Sequence, residues 1–187
     1  MILDIENHLE KFPHVAITAQ EGRIYGQWII GNTYRSTTSY YGSYPHSFME
    51  RVLSLIPNVN PQSILHLFSG SVDQGITFDV NPFLKPQICG DAERLSQYFE
   101  KDSIPVCIAD PPYSSEEAQK YGTGMPATHK VFRELYHIIE PDGLVFWLCT
   151  RIPMWRKEQW YMKGLIGVFV GTNKVYRALL IMEKRRR

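Results

Sequence analysis

The sequence has few cysteines and no apolar run long enough to cross a bilayer. Its cysteines, Cys89, Cys107 and Cys149, lie far apart, and no Cys-x-x-Cys pair points to a zinc or redox site. We expect them to be reduced and mostly buried thiols. The first residues also lack the basic start and continuous apolar stretch of a secretory signal, so a cytoplasmic protein with no membrane partner is expected.

An excess of charge of either sign is also missing. The chain has 20 Lys and Arg residues against 19 Asp and Glu residues, for a formal net charge of +1. No global field attracts a polyanion, so contact with nucleic acid would have to come from local patches. With 44% apolar and 21% charged residues among 187, the chain is typical of a globular protein. We therefore expect one domain over residues 1–187.

The N-terminal part, residues 1–44, contains two β-rich runs on either side of Glu21-Gly22-Arg23. This pattern predicts an N-terminal β-hairpin, and the aperiodic stretch after it predicts a loop up to Tyr44. Ser47 then precedes apolar residues at helical spacing, with Glu50 three residues later. A helix that begins with a capping box is the expected result.

From residue 64 onward, short apolar runs follow one another, and each ends in a small or polar residue. Buried parallel strands are continuously apolar, and the loops at their carboxyl ends bind ligands. Strands are predicted at 64–68, 76–80, 86–89, 106–109 and 144–149, helices at 93–100 and 128–139, a turn at 141–143, and a terminal hairpin at 164–170 and 175–182. This order predicts an α/β fold with an open, mostly parallel sheet, an antiparallel C-terminal strand and an N-terminal β-hairpin.

The link between the first two of these strands is short. Between Phe68 and Asp79 there is no room for the full crossover helix that usually joins parallel strands. Residues 71–75 could form at most one helical turn. A tight connection, with a pocket more open on that side, is therefore predicted.

The segment Asp110-Pro111-Pro112-Tyr113 directly follows a buried apolar run. A strand that ends in Asp places the carboxylate at the sheet edge where α/β folds bind ligands, and two prolines stiffen the backbone after it. Asp110 and the carbonyl of Pro111 could orient the two hydrogens of an amine, and Tyr113 could stack on a planar base. The alternative is a proline-rich turn with Tyr113 as a surface aromatic.

This Asp-Pro-Pro-Tyr segment resembles the signature of the DNA adenine-N6 methyltransferases, a class I family that uses S-adenosylmethionine. Related enzymes usually carry Ser at the first position for cytosine and Asn for glutamine or guanine, so Asp implies adenine. The resemblance implies a Rossmann-like fold, S-adenosylmethionine as the cofactor, no metal, and a catalytic set of Asp110, Pro111, Pro112 and Tyr113. RNA adenine, a protein amide, a small-molecule amine, and a non-catalytic subunit with this fold remain open as alternatives.

The residues before Val72 resemble the glycine loop of the same family. They depart from its pattern at His66, where Asp or Asn is usual, and at Val72, where Gly is expected. We expect His66 to be a hydrogen-bonded core histidine. Asp79 ends the second strand and could accept hydrogen bonds from a ribose, with a turn role as its alternative. The resemblance implies this methyl-donor set: Tyr44, Pro45, His46, Phe68, Ser69, Gly70, Ser71, Asp79, Asn81, Asp91 and Ala92.

Two segments are candidates for binding the acceptor. Residues 114–128 follow the motif and could close over a substrate as a lid, or could be a surface loop without function. Residues 151–161 mix cations with aromatic residues, which suits phosphate contact and base stacking, although a tryptophan-anchored core loop is the alternative. The candidate substrate-binding residues are Tyr121, Arg151, Arg156 and Trp160.

The expected partner is nucleic acid, with DNA favoured over RNA. No insertion has the size of a target-recognition domain, so specificity would be limited or would come from a specificity subunit or a homodimer. The basic tail at residues 184–187 is expected to be a solvated terminus.

Overall fold

The computed structural model describes residues 3–31, 44–120, 123–171 and 176–186. Within these ranges all the strands belong to one sheet. They are β1 (Ala16–Gln20), β2 (Arg23–Ile30), β3 (Ile64–Leu67), β4 (Ile76–Asp79), β5 (Ile88–Cys89), β6 (Ile104–Ala109), β7 (Ile139–Cys149), β8 (Trp160–Val170) and β9 (Tyr176–Lys184). The helices are α1 (Ile5–Lys11), α2 (Phe48–Leu55), α3 (Ser115–Lys120) and α4 (Thr128–Ile138), with 3₁₀ turns at Pro61–Ser63, Pro82–Leu84 and Ala92–Gln97.

The strand order β1-β2-β8-β9-β7-β6-β3-β4-β5 contains a reversal point. From β3 the sheet grows through β4 to β5 on one side and through β6 to β7 on the other, and all these pairs are parallel. β9 lies antiparallel between β7 and β8. The predicted mostly parallel sheet with an antiparallel C-terminal strand is confirmed. Open sheets of this kind bind ligands beside the carboxyl ends of the strands at the reversal, here β3 and β6.

The predicted N-terminal hairpin is also confirmed, because β1 and β2 pair antiparallel. It is part of the main sheet, since β2 pairs in parallel with β8 from Ile24 opposite Gly164 to Ile30 opposite Val170. Trp28 on β2 is fully buried, and its ring lies edge-on to Phe48 of α2 at 6.1 Å between centroids.

Helices cover both faces of the sheet, and the alternation of side chains along each strand divides the core. On β6, Ile108 packs on the α2 face, whereas Cys107 and Ala109 pack on the α4 face. On α4 the predicted apolar face is buried, with Val131 and Leu135 both 0% exposed. Each such buried side chain contributes about 1.5–3 kcal/mol of transfer free energy.

The link from β3 to β4 contains no helix, as the short spacing predicts. Gly75 has a positive φ of 66°, and a Cβ there would lie 2.6 Å from the carbonyl oxygen of Ile64. Only glycine fits this tight return, which brings the chain directly back beside β3.

Two local predictions about helices are wrong. Ser47 adopts a left-handed conformation with φ of 61° and makes no side-chain cap hydrogen bond, so the capping box is absent. The Phe48 N–H instead donates to the Pro45 carbonyl at 3.0 Å, which closes a turn before α2. The helix predicted at 93–100 is a 3₁₀ segment at Ala92–Gln97, kinked at Arg94 with φ of −139°.

The predicted turn at 141–143 lies inside β7 as an insertion. Ile104 of β6 pairs with Ile139, but Val106, two residues later, pairs with Leu144. Asp142, with φ of 63°, turns the extra residues out of the ladder. Cys107 and Cys149 are buried as expected, whereas Cys89 is exposed. No helix in the described ranges has the length and apolar character to cross a membrane.

Candidate active site

The Asp110–Tyr113 segment leaves the carboxyl end of β6 beside the loop that follows β3. The Tyr113 hydroxyl donates a hydrogen bond to Oδ1 of Asp110. Nη1 of Arg177, on β9, lies 3.7 Å from Oδ2, and both ionic side chains are largely buried, at 20% exposed for Arg177 and 18% for Asp110. The Arg177 guanidinium also lies over the Tyr113 ring, 4.8 Å from its centroid. One cation therefore contacts both functional side chains of the motif.

These contacts and the burial of Asp110 act in opposite directions on its carboxyl. Burial is the largest effect and raises the pKa of Asp110, and the nearby Glu117 carboxylate also raises it. Arg177 and the Tyr113 hydroxyl lower this pKa by stabilising the ionised form. Burial, followed by the adjacent Asp110 charge, raises the pKa of Tyr113 well above its usual value, so its hydroxyl stays protonated and able to donate.

Two cavities meet at Pro112. One, of about 730 Å³ and here named the Tyr113 cavity, is lined by residues that include Pro111, Tyr113 and Arg151. The other, of about 580 Å³ and here named the Phe68 cavity, is lined by residues that include Phe68, Asn81, Asp91 and Ala92. Both are lined in addition by Pro112, Met125 and Pro126. The arrangement can hold two ligands on either side of the motif.

The loop after β3 is shaped by backbone conformation and by one carboxylate. Phe68 and Gly70 have positive φ values of 59° and 55°. Oδ2 of Asp79 accepts the Gly70 N–H at 3.0 Å, and Oδ1 accepts the Asn81 N–H at 2.9 Å. Asp79 thus has the turn role left open by the sequence, while each oxygen keeps a second lone pair for a ribose hydroxyl. Its part in ligand binding stays a prediction.

Ser69 has an unsatisfied polar atom in this loop. The residue is 2% exposed, and its Oγ has no hydrogen-bond partner among the described residues. A buried hydroxyl without a partner costs about 1–3 kcal/mol, and a polar ligand group beside the loop would recover this free energy. The observation fits a bound cofactor next to Phe68 and Gly70.

The other residues predicted to bind the methyl donor fall into two groups. Asn81 and Asp91 line the Phe68 cavity, but each also accepts a backbone N–H of its own turn, from Phe83 at 3.0 Å and Glu93 at 2.9 Å. Ala92 is buried beside them, and Ser71 is exposed in the link after Gly70.

Tyr44 belongs to a different cluster. Its hydroxyl is hydrogen-bonded to Nδ1 of His66 at 3.2 Å, and its ring stacks on Phe48 at 5.2 Å. Burial lowers the pKa of His66 to about 4, so the imidazole is neutral, and the expectation of a hydrogen-bonded core histidine is confirmed. Pro45 is buried and His46 is exposed at the start of α2. The hydrogen bond with the Tyr44 hydroxyl gives the buried His66 imidazole of β3 a polar partner.

Of the predicted acceptor residues that the structure describes, Arg151 alone lines the Tyr113 cavity. Arg156 lines a separate cavity with Asp102 and Pro141, which lie near the amino ends of β6 and β7, so the structure does not bring it to the Tyr113 cavity. Trp160 is 1% exposed in the core beneath α4, and this burial favours the alternative of a core anchor over base stacking. Tyr121 and residues 32–43 lie outside the described residues.

The segment predicted as a lid begins with a helix, α3, rather than an irregular loop. Oε2 of Glu117 on α3 accepts the Tyr113 N–H at 2.7 Å, and Oγ of Ser114 accepts the Glu117 N–H at 3.1 Å. These bonds fix the backbone at the end of the motif. Met125 and Pro126, further along, line both cavities.

Arg177 was not found by sequence reasoning. The feature that could have indicated it is its position as the second residue of β9, the second strand of the terminal hairpin. An antiparallel strand begins at the edge where its parallel neighbours end, so a cation there lies close to residues that follow the parallel strands.

The sheet order and helical layers form a Rossmann-like α/β fold. No protein-family model matches the chain, and none of the curated proteins matches it. Among solved structures, TrmN from Thermus thermophilus shares the fold with a TM-score of 0.55 and 16% sequence identity over 77% of this chain and 50% of TrmN. The chain therefore spans about half the length of the structure it matches.

Proposed function

We propose that the chain transfers a methyl group from S-adenosylmethionine to the exocyclic N6 amine of adenine in DNA. The observation that carries this proposal is the position of Asp110-Pro111-Pro112-Tyr113. The segment lies at the sheet reversal beside the Gly70 loop, and Pro112 lines both cavities. A reaction between two ligands needs such a shared boundary.

S-adenosylmethionine is the cofactor that the methyltransferase fold implies. The unsatisfied Ser69 hydroxyl, the positive-φ turn at Gly70 and the Phe68 cavity fit it. Asn81, Asp91 and Ala92 would contact its nucleoside end, and Asp79 would hold the loop and accept from a ribose hydroxyl. When bound, the cofactor supplies a methyl group attached to a cationic sulfur.

The acceptor would lie in the Tyr113 cavity. Asp110 and the Pro111 carbonyl would accept hydrogen bonds from the two amine hydrogens, which directs the nitrogen lone pair at the methyl group, and Tyr113 would stack on the base. As the nitrogen–methyl bond forms, the methyl–sulfur bond would break and leave a neutral thioether. The proton that the methylated amine then loses would pass to the Asp110 carboxylate and from there to solvent. The amine replaces the Tyr113 hydroxyl as the donor to Oδ1 of Asp110. In duplex DNA the base must first be flipped out of the stack. Arg151 is exposed and lines this cavity, and it would contact a phosphate of the nucleic acid.

RNA adenine is the second candidate acceptor. The residues that line the Tyr113 cavity would contact a base and a phosphate, which DNA and RNA share. None of the described residues is assigned a contact with the sugar of the nucleic acid, which is where DNA and RNA differ. Both DNA and RNA are therefore tested as acceptors in the assay.

The assay incubates the chain with labelled S-adenosylmethionine and, separately, single-stranded DNA, duplex DNA, RNA and a protein extract. Mass analysis of the digested products is expected to show N6-methyl-2′-deoxyadenosine, with more product from single strands because no base has to be flipped. Product only in RNA would transfer the proposal to RNA. Product only in protein, or no binding of the donor, would overturn it.

Asp79 provides a separate test of the donor site. Asp79→Asn replaces one accepting oxygen with an NH₂ group and removes the charge, so the Gly70 turn loses its anchor. The dissociation constant for S-adenosylmethionine, measured by calorimetry, is expected to rise about tenfold, because hydrogen bonds to charged groups contribute about 1.5–3 kcal/mol. Asp73→Asn makes the same change at an exposed position of the same link and should leave the affinity unchanged. Equal affinities for wild type and Asp79→Asn would contradict this role.

A further inference from the structure

Arg177 is a largely buried cation beside the Asp110–Tyr113 motif. The proposed methyl transfer gives this residue no role. It stands near the start of β9, where its neighbours in the strand pack into the core on alternate faces: Ala178 with α4 and Leu179 with α2. Its side chain is 20% exposed. Burial of an arginine is costly unless the charge is paired, so its contacts explain its presence here.

The Arg177 guanidinium makes two contacts, one with the Asp110 carboxylate and one with the Tyr113 ring. Its Nη1 lies 3.7 Å from Oδ2 of Asp110, an ion pair without a hydrogen bond, and its centre lies 4.8 Å from the centroid of the Tyr113 ring. Arginine suits this double contact because the planar group pairs with a carboxylate at its edge and with an aromatic ring at its face. Lysine, a point charge, can keep the first contact but not the planar second one.

We propose that Arg177 is the positioning residue of the motif: it fixes the Asp110 carboxylate and covers one face of the Tyr113 ring, which leaves the opposite face for the acceptor base. This inference rests on the proposed function for its effect on methyl transfer. The contacts that carry it belong to the chain alone, so they can be tested without donor or acceptor.

The charges around Asp110 define the expected effect. The groups that act on it are Tyr113 in its own loop, Glu117 on α3, Arg177 on β9 and, before α2, Tyr44. Among these only Arg177 is a cation. Without it, burial and Glu117 act against the ionised carboxylate with only the Tyr113 hydroxyl in opposition, so the pKa of Asp110 moves further upward.

The experiment compares Arg177→Gln and Arg177→Lys with wild type and with Arg133→Gln, which removes an exposed positive charge on α4. Two quantities are measured: the pH dependence of methyl transfer, and the titration of the Asp110 carboxyl carbon by NMR in the chain without ligands. Thermal unfolding shows that each variant is folded.

In Arg177→Gln, removal of the cation should shift both the pH profile of methyl transfer and the NMR titration curve of Asp110 to higher pH. Its kcat/KM is expected to fall most, about tenfold, at the acidic end of the wild-type profile and to recover as the pH rises, because the loss of an opposite charge within about 4–6 Å favours the protonated acid. Arg177→Lys should retain the wild-type titration but show a raised KM for the nucleic acid, since the ring face is no longer covered. Arg133→Gln should match wild type in both measurements.

An Asp110 carboxyl that titrates alike in wild type and Arg177→Gln would overturn the inference. If Arg177→Gln is unfolded, the test rests on Arg177→Lys. A wild-type KM for nucleic acid in that variant would overturn the inference, because it would show that coverage of the Tyr113 ring has no effect on acceptor binding. A wild type that methylates nothing, but whose Asp110 titration depends on Arg177, would instead overturn the proposed function and leave the electrostatic role standing.

Discussion

Replacement of Asp110 by Ala is expected to lower kcat for methyl transfer by at least about 10²–10³-fold, the usual cost of removing one group that stabilises a transition state. The variant loses the acceptor that orients the amine, and it leaves the Arg177 cation without its carboxylate. Binding of S-adenosylmethionine should change little, because Asp110 is not among the residues that line the Phe68 cavity. Single-turnover assays and a donor titration measure the two quantities separately.

Asp110→Asn is the matched control, because it keeps the shape and one accepting oxygen while removing the charge. Its rate should fall between those of Asp110→Ala and wild type. Unchanged turnover in Asp110→Ala would defeat the assignment of the motif. A loss of donor affinity equal to the loss of rate would show that Asp110 contributes to the binding of the cofactor instead.

Trp160→Ala is expected to destabilise the chain by about 3–5 kcal/mol, the usual cost of truncating a large buried aromatic residue. The Trp160 ring lies 5.9 Å from those of Phe132 and Tyr136 in the core beneath α4, so its removal leaves a cavity. Urea unfolding followed by circular dichroism measures the change in the free energy of unfolding.

Trp160→Phe retains part of the ring and should lose much less stability, which separates the effect of volume from that of chemistry. In conditions where both variants are folded, their affinity for nucleic acid should equal that of wild type. A stable Trp160→Ala chain with weakened nucleic-acid binding would restore the stacking role that the burial of this residue argues against.

The parallel strands could be predicted because burial on both faces forces a continuously apolar sequence, as in β3 and β6. Helix α4 could be predicted because its apolar residues recur with one helical period. The start of α2 could not, since the hydrogen bond from Phe48 to Pro45 gives Ser47 a left-handed backbone that its side chain does not encode. The 3₁₀ form of Ala92–Gln97 likewise depends on local geometry beyond the pattern of apolar residues.

At the site, the position of Asp110 followed from the end of its strand, because parallel strands bring their carboxyl ends to one edge. Its partner Arg177 was missed, since their contact depends on the pairing of β7 with β9 across about 30 residues of sequence and only the position of Arg177 at the start of β9 pointed to it. The structure places Arg156 and Trp160 away from the Tyr113 cavity, and the sequence could not indicate this because alternating cations and aromatics do not show which way each side chain faces.

The parallel ladder between β2 and β8 has a consequence for any shortened version of the chain. Without the N-terminal hairpin, the 11-residue strand β8 would present a row of free N–H and C=O groups to solvent. Such an unprotected strand is a template for intermolecular pairing and aggregation. The hairpin of β1 and β2 thus covers this edge of β8.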